Sequence, residues 1–171
     1  MSVRLVKPTV EYAEKIMSYR AEFLENGEVI DGGSMLEEYD SVDGWLAHLD
    51  EFSNNCPEGF VPSDTFLAVD GDNSVVGIID CRRHIDHPFL GEWGGHIGYS
   101  VRKSGRRKGH AKEMLRQALE MYRERGIEKV LVTCNVGNIA SEKTILANGG
   151  VFERETSDSS GHRIKRFWIT L

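Results

Sequence analysis

The 171-residue sequence predicts an α+β fold: helices flanking a mixed sheet in which antiparallel pairs dominate. Three observations lead there. Two β-branched runs, Thr65 to Val69 and Val75 to Cys81, flank Asp70-Gly71-Asp72-Asn73-Ser74, the composition of a hairpin turn. A second pair, Val151 to Thr156 and Ile164 to Leu171, encloses a polar turn from Ser157 to His162. Between them runs strand, helix, strand, and a helical crossover of that kind supports parallel pairing of the two strands it joins.

Taken in order, Val3 and Leu5 suggest a first strand, ended by Pro8. Thr9 is placed to cap a helix that carries Ala13, Ile16, Met17, Phe23 and Leu24 on one face. Glu25 to Gly33 reads as a loop. A second helix centres on Trp45, Leu46, Leu49 and Phe52, with Ser41 or Asp43 before it. Asn54 to Ser63, with two prolines, is another loop, and the first hairpin follows it. Turn-rich segments around His87-Pro88 and Gly91 to Gly95 lead into Ile97, Tyr99 and Val101, which alternate as a strand. Ala111, Met114, Leu115, Ala118, Leu119 and Tyr122 then fall at helical spacing, closed by Gly126. Val130 to Cys134 is a short strand. Asn138 can cap a helix through Ala147, stopped by Asn148-Gly149-Gly150, before the final hairpin.

Bulk properties narrow the function classes. Hydrophobic content of 40% and charged content of 28% suit a single globular domain spanning 1–171 with a real core. No apolar run approaches membrane-spanning length, and the first residues lack a signal stretch. Three scattered cysteines (Cys56, Cys81, Cys134) fit a reducing cytoplasm better than a disulfide scaffold. The six histidines form no metal-ligand spacing, so no metal is expected.

The net charge is −6, yet six Lys and Arg fall between Arg102 and Lys112. A basic island in one loop of an acidic chain suits a small polyanion, whereas a nucleic-acid duplex would want a basic face. Strand, basic glycine loop and helix start form a recipe for holding phosphate. The first amides of a helix lack internal partners, the dipole is positive there, and Gly109 permits close backbone approach.

Arg106-Arg107-Lys108-Gly109-His110-Ala111 fits Arg/Gln-x-x-Gly-x-Gly/Ala and resembles the pyrophosphate loop of the GNAT superfamily, the acetyl-CoA-dependent N-acetyltransferases. The family's usual Pro before the loop is Lys103 here, and its frequent Gly after the first Arg is Arg107. Neither change removes a backbone donor. The order of elements is also similar to the GNAT fold over nearly the whole chain. In that fold the strands Ile97 to Val101 and Val130 to Cys134 would run parallel and splay apart, admitting the pantetheine arm. The resemblance then implies coenzyme contacts from Tyr99, Ser100 and Val101, from Arg106, Arg107, Lys108, Gly109, His110 and Ala111, and from Asn138. Asn138 is equally read as a plain helix cap. A homodimer through the terminal strands is common in the family.

Acetyl transfer to an amine requires a neutral nucleophile, and an amine of pKa near 10.4 is neutral in only roughly one molecule in 2,500 at pH 7. A base must take its proton. His96 has a suitable intrinsic pKa, and Glu92, beside Trp93, is the second candidate. Arg82, Arg83, His84 and His87 form a further polar cluster upstream. The family's frequent Tyr acid is Ile145 here, which cannot protonate a thiolate. Tyr99 could substitute, or serve as a packing aromatic. Cys134 is the sole placed candidate for an acetyl-cysteine route, and no activating His adjoins it in sequence. The expectation is direct transfer from acetyl-CoA to a small-molecule or peptide amine. The alternative is a non-catalytic acyl-CoA-binding module of the same fold, for which the missing Tyr argues.

Overall fold

The computed structural model describes residues 2–171. The elements are β1 (Arg4–Val6), α1 (Ala13–Glu25), α2 (Val42–Asn54), β2 (Ser63–Val69), β3 (Val75–Arg82), β4 (Ile97–Val101), α3 (His110–Glu124), β5 (Lys129–Asn135), α4 (Ile139–Leu146), β6 (Val151–Ser157) and β7 (Arg163–Thr170). They form two sheets. One runs β1-β2-β3-β4 and the other β5-β7-β6.

Alternation explains how the first sheet is buried on both faces. Phe66 and Ala68 of β2, with Ile79 and Cys81 of β3, join a core built around Met114, Leu115 and Tyr122 of α3. The intervening Leu67, Val69 and Ile78 enter a second core with Ile16, Tyr19 and Phe23 of α1 and Trp45 of α2. A period of two therefore feeds two cores from one strand pair. Each fully buried large apolar side chain contributes about 1.5–3 kcal/mol.

Local chemistry sets most boundaries. Ser41, not Asp43, caps α2, its Oγ accepting from the Gly44 amide at 3.4 Å. Asn138 Oδ1 caps α4 by accepting from the Ser141 amide at 3.1 Å. Asp70 Oδ1 accepts from the amides of Asp72 and Ser74 to shape the β2–β3 turn. Thr9 departs from expectation: its side chain makes no capping bond, and a short 3-10 turn, Val10–Tyr12, precedes α1. Leu24 faces solvent, while Tyr19 takes the buried place.

The predicted parallel splayed pair is not found. Every ladder is antiparallel, and β4 and β5 are strands of different sheets. They meet at a single clasp. The His96 amide donates to Leu131 O at 2.8 Å, and His96 Nδ1 accepts from the Leu131 amide at 2.9 Å. A ring nitrogen thus stands where a carbonyl would continue a ladder. The His96 carbonyl is engaged elsewhere, accepting from the Arg82 amide at 2.8 Å and the Tyr122 hydroxyl at 3.1 Å. The crossover through α3 therefore links two sheets instead of two neighbours in one.

Candidate active site

Between the two sheets lies a cavity of about 890 Å³, lined on one side by Ile97 to Val101 of β4 and on the other by Thr133 to Asn135 of β5. One end is closed by the start of α3. There Gly109, at φ +80°, turns the chain into the helix, and a Cβ on it would meet nothing within 4 Å. Arg107 also adopts the left-handed region, at φ +62°. Among the described residues, no acceptor reaches the amides of Arg107 through Lys112. Successive unpaired amides at a helix start form an anion cradle. His110 lines the same end, 3% exposed, and its Nδ1 is buried without a partner. An open, amide-rich cradle with an orphaned ring nitrogen fits the phosphate and pantetheine end of acetyl-CoA.

The other loop residues are distributed unevenly. Arg107 and Ala111 face the cavity, and Lys108 is exposed outside it. Arg106 lines the cavity, but its guanidinium is engaged by both Glu28 carboxylate oxygens, and its Nε donates to Val101 O at 2.9 Å. The pairing holds the Glu28 carboxyl below its ordinary pKa. Arg102 is tied likewise to Glu22. The 28–31 loop before α2 is thereby pinned over the phosphate cradle. Replacing Glu28 by Gln should free Arg106 for the ligand. We expect acetyl-CoA affinity to rise by roughly two- to fivefold, the worth of a partly exposed pair, with a steeper fall as salt increases. Calorimetry at two ionic strengths checks this.

Along β4, Ser100 Oγ lies 3.0 Å from the Tyr19 hydroxyl, which holds it against α1. Tyr99 faces the cavity, its hydroxyl 2.8 Å from Ser141 Oγ at the first turn of α4. Burial pushes the Tyr99 phenol up to about 12, only partly opposed by the Ser141 hydrogen bond. Ile145 is fully buried in the core. Cys134 lines the cavity, and burial pushes its thiol up to about 11, so it carries no thiolate at neutral pH. Asn138 lines the cavity with its Oδ1 occupied by the α4 cap.

The two carboxylate and imidazole candidates for proton removal are not brought to this cavity. Glu92 accepts from Arg154 at 2.8 Å and Thr156 at 2.9 Å, fastening the Leu90–Gly94 turn to β6. His96 is 6% exposed, edge-on to Tyr122, and desolvation lowers its pKa to about 4. Its neutral ring accepts the Leu131 amide, so its removal leaves a buried donor unsatisfied, at about 1–3 kcal/mol. His96→Ala should therefore lower Tm by roughly 2–12 °C and leave the shape of the pH–rate profile unchanged. The lowered pKa also sets a pH window. The unfolded chain binds a proton near pH 6.5 that the folded one refuses until about 4, so wild type loses stability as pH falls through that range. Thermal scans across it compare wild type with His96→Ala, in which this part of the loss should vanish.

Of the upstream polar cluster, Arg82 faces the cavity. Arg83 turns to Asp64 instead, at 3.1 Å, and the His84 and His87 rings cap local amides. The sequence reading missed Asp31, from the loop before α2. Asp31 lines the cavity beside Gly32 and has no hydrogen bond or ion pair among the described residues. Asp31 keeps an exposed surface, yet desolvation, reinforced by Glu37 and opposed by Arg82, raises its pKa. Among the described residues, no group of three or more His, Cys, Asp or Glu is gathered as a metal site, and no helix is long and apolar enough to cross a membrane.

The profile of the Acetyltransferase (GNAT) family matches residues 23–147. No curated protein matches the sequence significantly. Among solved structures, the chain is similar to the microcin C7 self-immunity acetyltransferase MccE, solved with acetyl-CoA and AMP. The two are 15% identical, with a TM-score of 0.70 and coverage of 99% of this chain and 93% of that one. It is also similar to the ribosomal-protein-S5-alanine acetyltransferase of Vibrio fischeri, at 18% identity, TM-score 0.67 and coverage of 98% and 91%. A third likeness is to a variant of the spermidine N-acetyltransferase SpeG of Vibrio cholerae, at 14% identity, TM-score 0.65 and coverage of 99% and 96%. At such identities these likenesses establish the fold.

Proposed function

The chain belongs to the acetyltransferase (GNAT) family, and from that membership we propose that it moves an acetyl group from acetyl-CoA directly to a primary amine. The observation that supports this reading is the continuity of one cavity. It runs from the unpaired amides at the start of α3 to a free carboxylate, Asp31, and a protonated hydroxyl, Tyr99. Bound acetyl-CoA supplies the activated acyl group. The amides of residues 107–112 hold its anionic end, with the basic side chains of Arg107 and Lys112 beside them. Asp31, made more basic by partial desolvation and by Glu37, takes the amine's proton. Tyr99 keeps its own proton and donates it from β4, a role the apolar Ile145 of α4 cannot fill. Direct transfer is favoured over an acetyl-cysteine because the Cys134 thiol is held protonated, with Glu142 reinforcing burial.

Retention of Asn138 at the cavity wall supports a pantetheine contact through its amide group, alongside the cap it already makes. The non-catalytic reading rests on Ile145 alone. Acetyl-CoA-dependent thiol release across a library of primary amines tests the proposal. Turnover of any member above the rate without protein supports it. A protein that binds acetyl-CoA yet releases no thiol with any amine sinks it in favour of the binding module.

A further inference from the structure

We propose that the acceptor is an α-amino acid, its ammonium received by Asp31 and its carboxylate by Arg82. The inference rests on the acetyl-transfer reading above and names the substrate class of the same cavity. Few of the charges in the cavity are free. Three acidic side chains line it. Glu28 is engaged by Arg106, and Asp158 accepts from the Ser160 and His162 amides and the Ser160 hydroxyl of its own turn. Asp31 has no such partner among the described residues. Arg82 is half committed. Its Nη1 donates to Gly94 O at 3.2 Å and Gly95 O at 3.0 Å, and its Nε lies 3.7 Å from Asp80. Its Nη2 has no hydrogen-bond partner among the described residues.

Gly98 stands beside both segments, the spare guanidinium nitrogen of Arg82 and the backbone of Gly32, the residue after Asp31. A Cβ built on Gly98 would meet Gly32 N at 3.1 Å, Gly32 Cα at 3.2 Å and Arg82 Nη2 at 3.6 Å. Glycine at this position lets the Gly32 backbone and the spare guanidinium nitrogen both approach β4 closely. A bare ammonium ion placed there would be drawn by Asp31 and repelled by Arg82. A zwitterion with ammonium and carboxylate on the same carbon satisfies both, and a guanidinium edge suits a carboxylate. Phe89 and Trp93, ring centroids 5.9 Å apart, line the same cavity and offer an apolar wall to a hydrophobic side chain.

The loop that presents Asp31 is also fixed in a costly conformation. Ser34 and Met35 hold φ of +46° and +61°, which non-glycine residues seldom adopt. The buried Trp45 indole secures them, donating to Gly33 O at 3.0 Å and Ser34 O at 3.2 Å. Strain maintained beside a cavity is a mark of positioning.

The test compares L-phenylalanine with phenethylamine, the same amine without the carboxylate. Wild type should favour L-phenylalanine in kcat/KM by at least tenfold, the value of one charge-assisted hydrogen bond. Arg82→Gln should bring the ratio to within about threefold, and Arg82→Lys should fall between. Asp31→Asn should lower kcat/KM for both amines while leaving the acetyl-CoA dissociation constant unchanged. A substrate ratio measured on one protein does not depend on how much of it is folded, so partial misfolding of an Arg82 variant does not obscure the result. Equal or reversed preference in wild type, or an unchanged ratio in Arg82→Gln, overturns the proposal. If no amine at all is acetylated, the acetyl-transfer reading fails. Calorimetric binding of the two probes in the presence of coenzyme A then decides the amino-acid site by itself, again on a tenfold preference.

Discussion

Tyr99→Phe should bind acetyl-CoA as wild type does and lose about two orders of magnitude in kcat. A general acid or base contributes roughly 10²–10⁴-fold, and one donor aimed at developing charge in a water-poor site about 10²–10³. The hydroxyl is held 2.8 Å from Ser141 Oγ, on the first turn of α4, while its ring packs against the larger core. Phenylalanine preserves that packing, so fold and cofactor affinity survive. Its phenol titrates only near pH 12, so neither limb of a pH–rate profile between 5 and 9 belongs to it. The rate loss should accordingly be the same at every pH in that range. Ser141→Ala should cost less, because Ser141 orients the hydroxyl without replacing it. Thiol-release kinetics measure all three. A Tyr99→Phe enzyme within threefold of wild type would return the residue to a packing role.

What could be read from the sequence was local. The Asp70–Ser74 turn, the apolar face of α3, its stop at Gly126 and the Asn138 cap each depend on neighbours a few residues apart, and each was found as expected. The relation between β4 and β5 was not. A helical crossover is compatible with parallel pairing, but it carries no information on whether the two strands share a ladder. Where the two segments meet, one histidine ring satisfies an amide 35 residues away. Nor did the polar loop from Glu25 to Gly33 declare its importance. Its meaning lies in pairs such as Glu28 with Arg106, 78 residues apart, and in the contact of Gly32 with Gly98. The one local signal was the pair Gly32-Gly33 beside a lone Asp31, which marks a tight backbone approach without saying to what.

That approach makes Gly32→Ala the most damaging small substitution in the site. At φ +73° an alanine carries a conformational cost of roughly 1 kcal/mol. Beyond that, its Cβ would stand 2.1 Å from Gly98 O, 2.4 Å from Gly98 C and 2.8 Å from Tyr99 N. All three are backbone atoms of β4, whose register against β3 pairs Gly98 with Asp80 and Tyr99 with Ile79. The strand cannot yield without breaking that ladder, so the loop must lift. Overpacking of this kind costs typically 1–3 kcal/mol, giving about 2–4 in total and a Tm lower by roughly 5–15 °C. Lifting the loop also withdraws Asp31, so KM for the amine should rise at least tenfold with the acetyl-CoA dissociation constant little changed. Gly109→Ala supplies the control. It meets nothing within 4 Å at a similar φ of +80°, so it should incur the conformational cost alone, about 2–4 °C in Tm. Equal losses in the two variants would mean that Gly32 is retained for its dihedral angle and that the loop does not rest on β4.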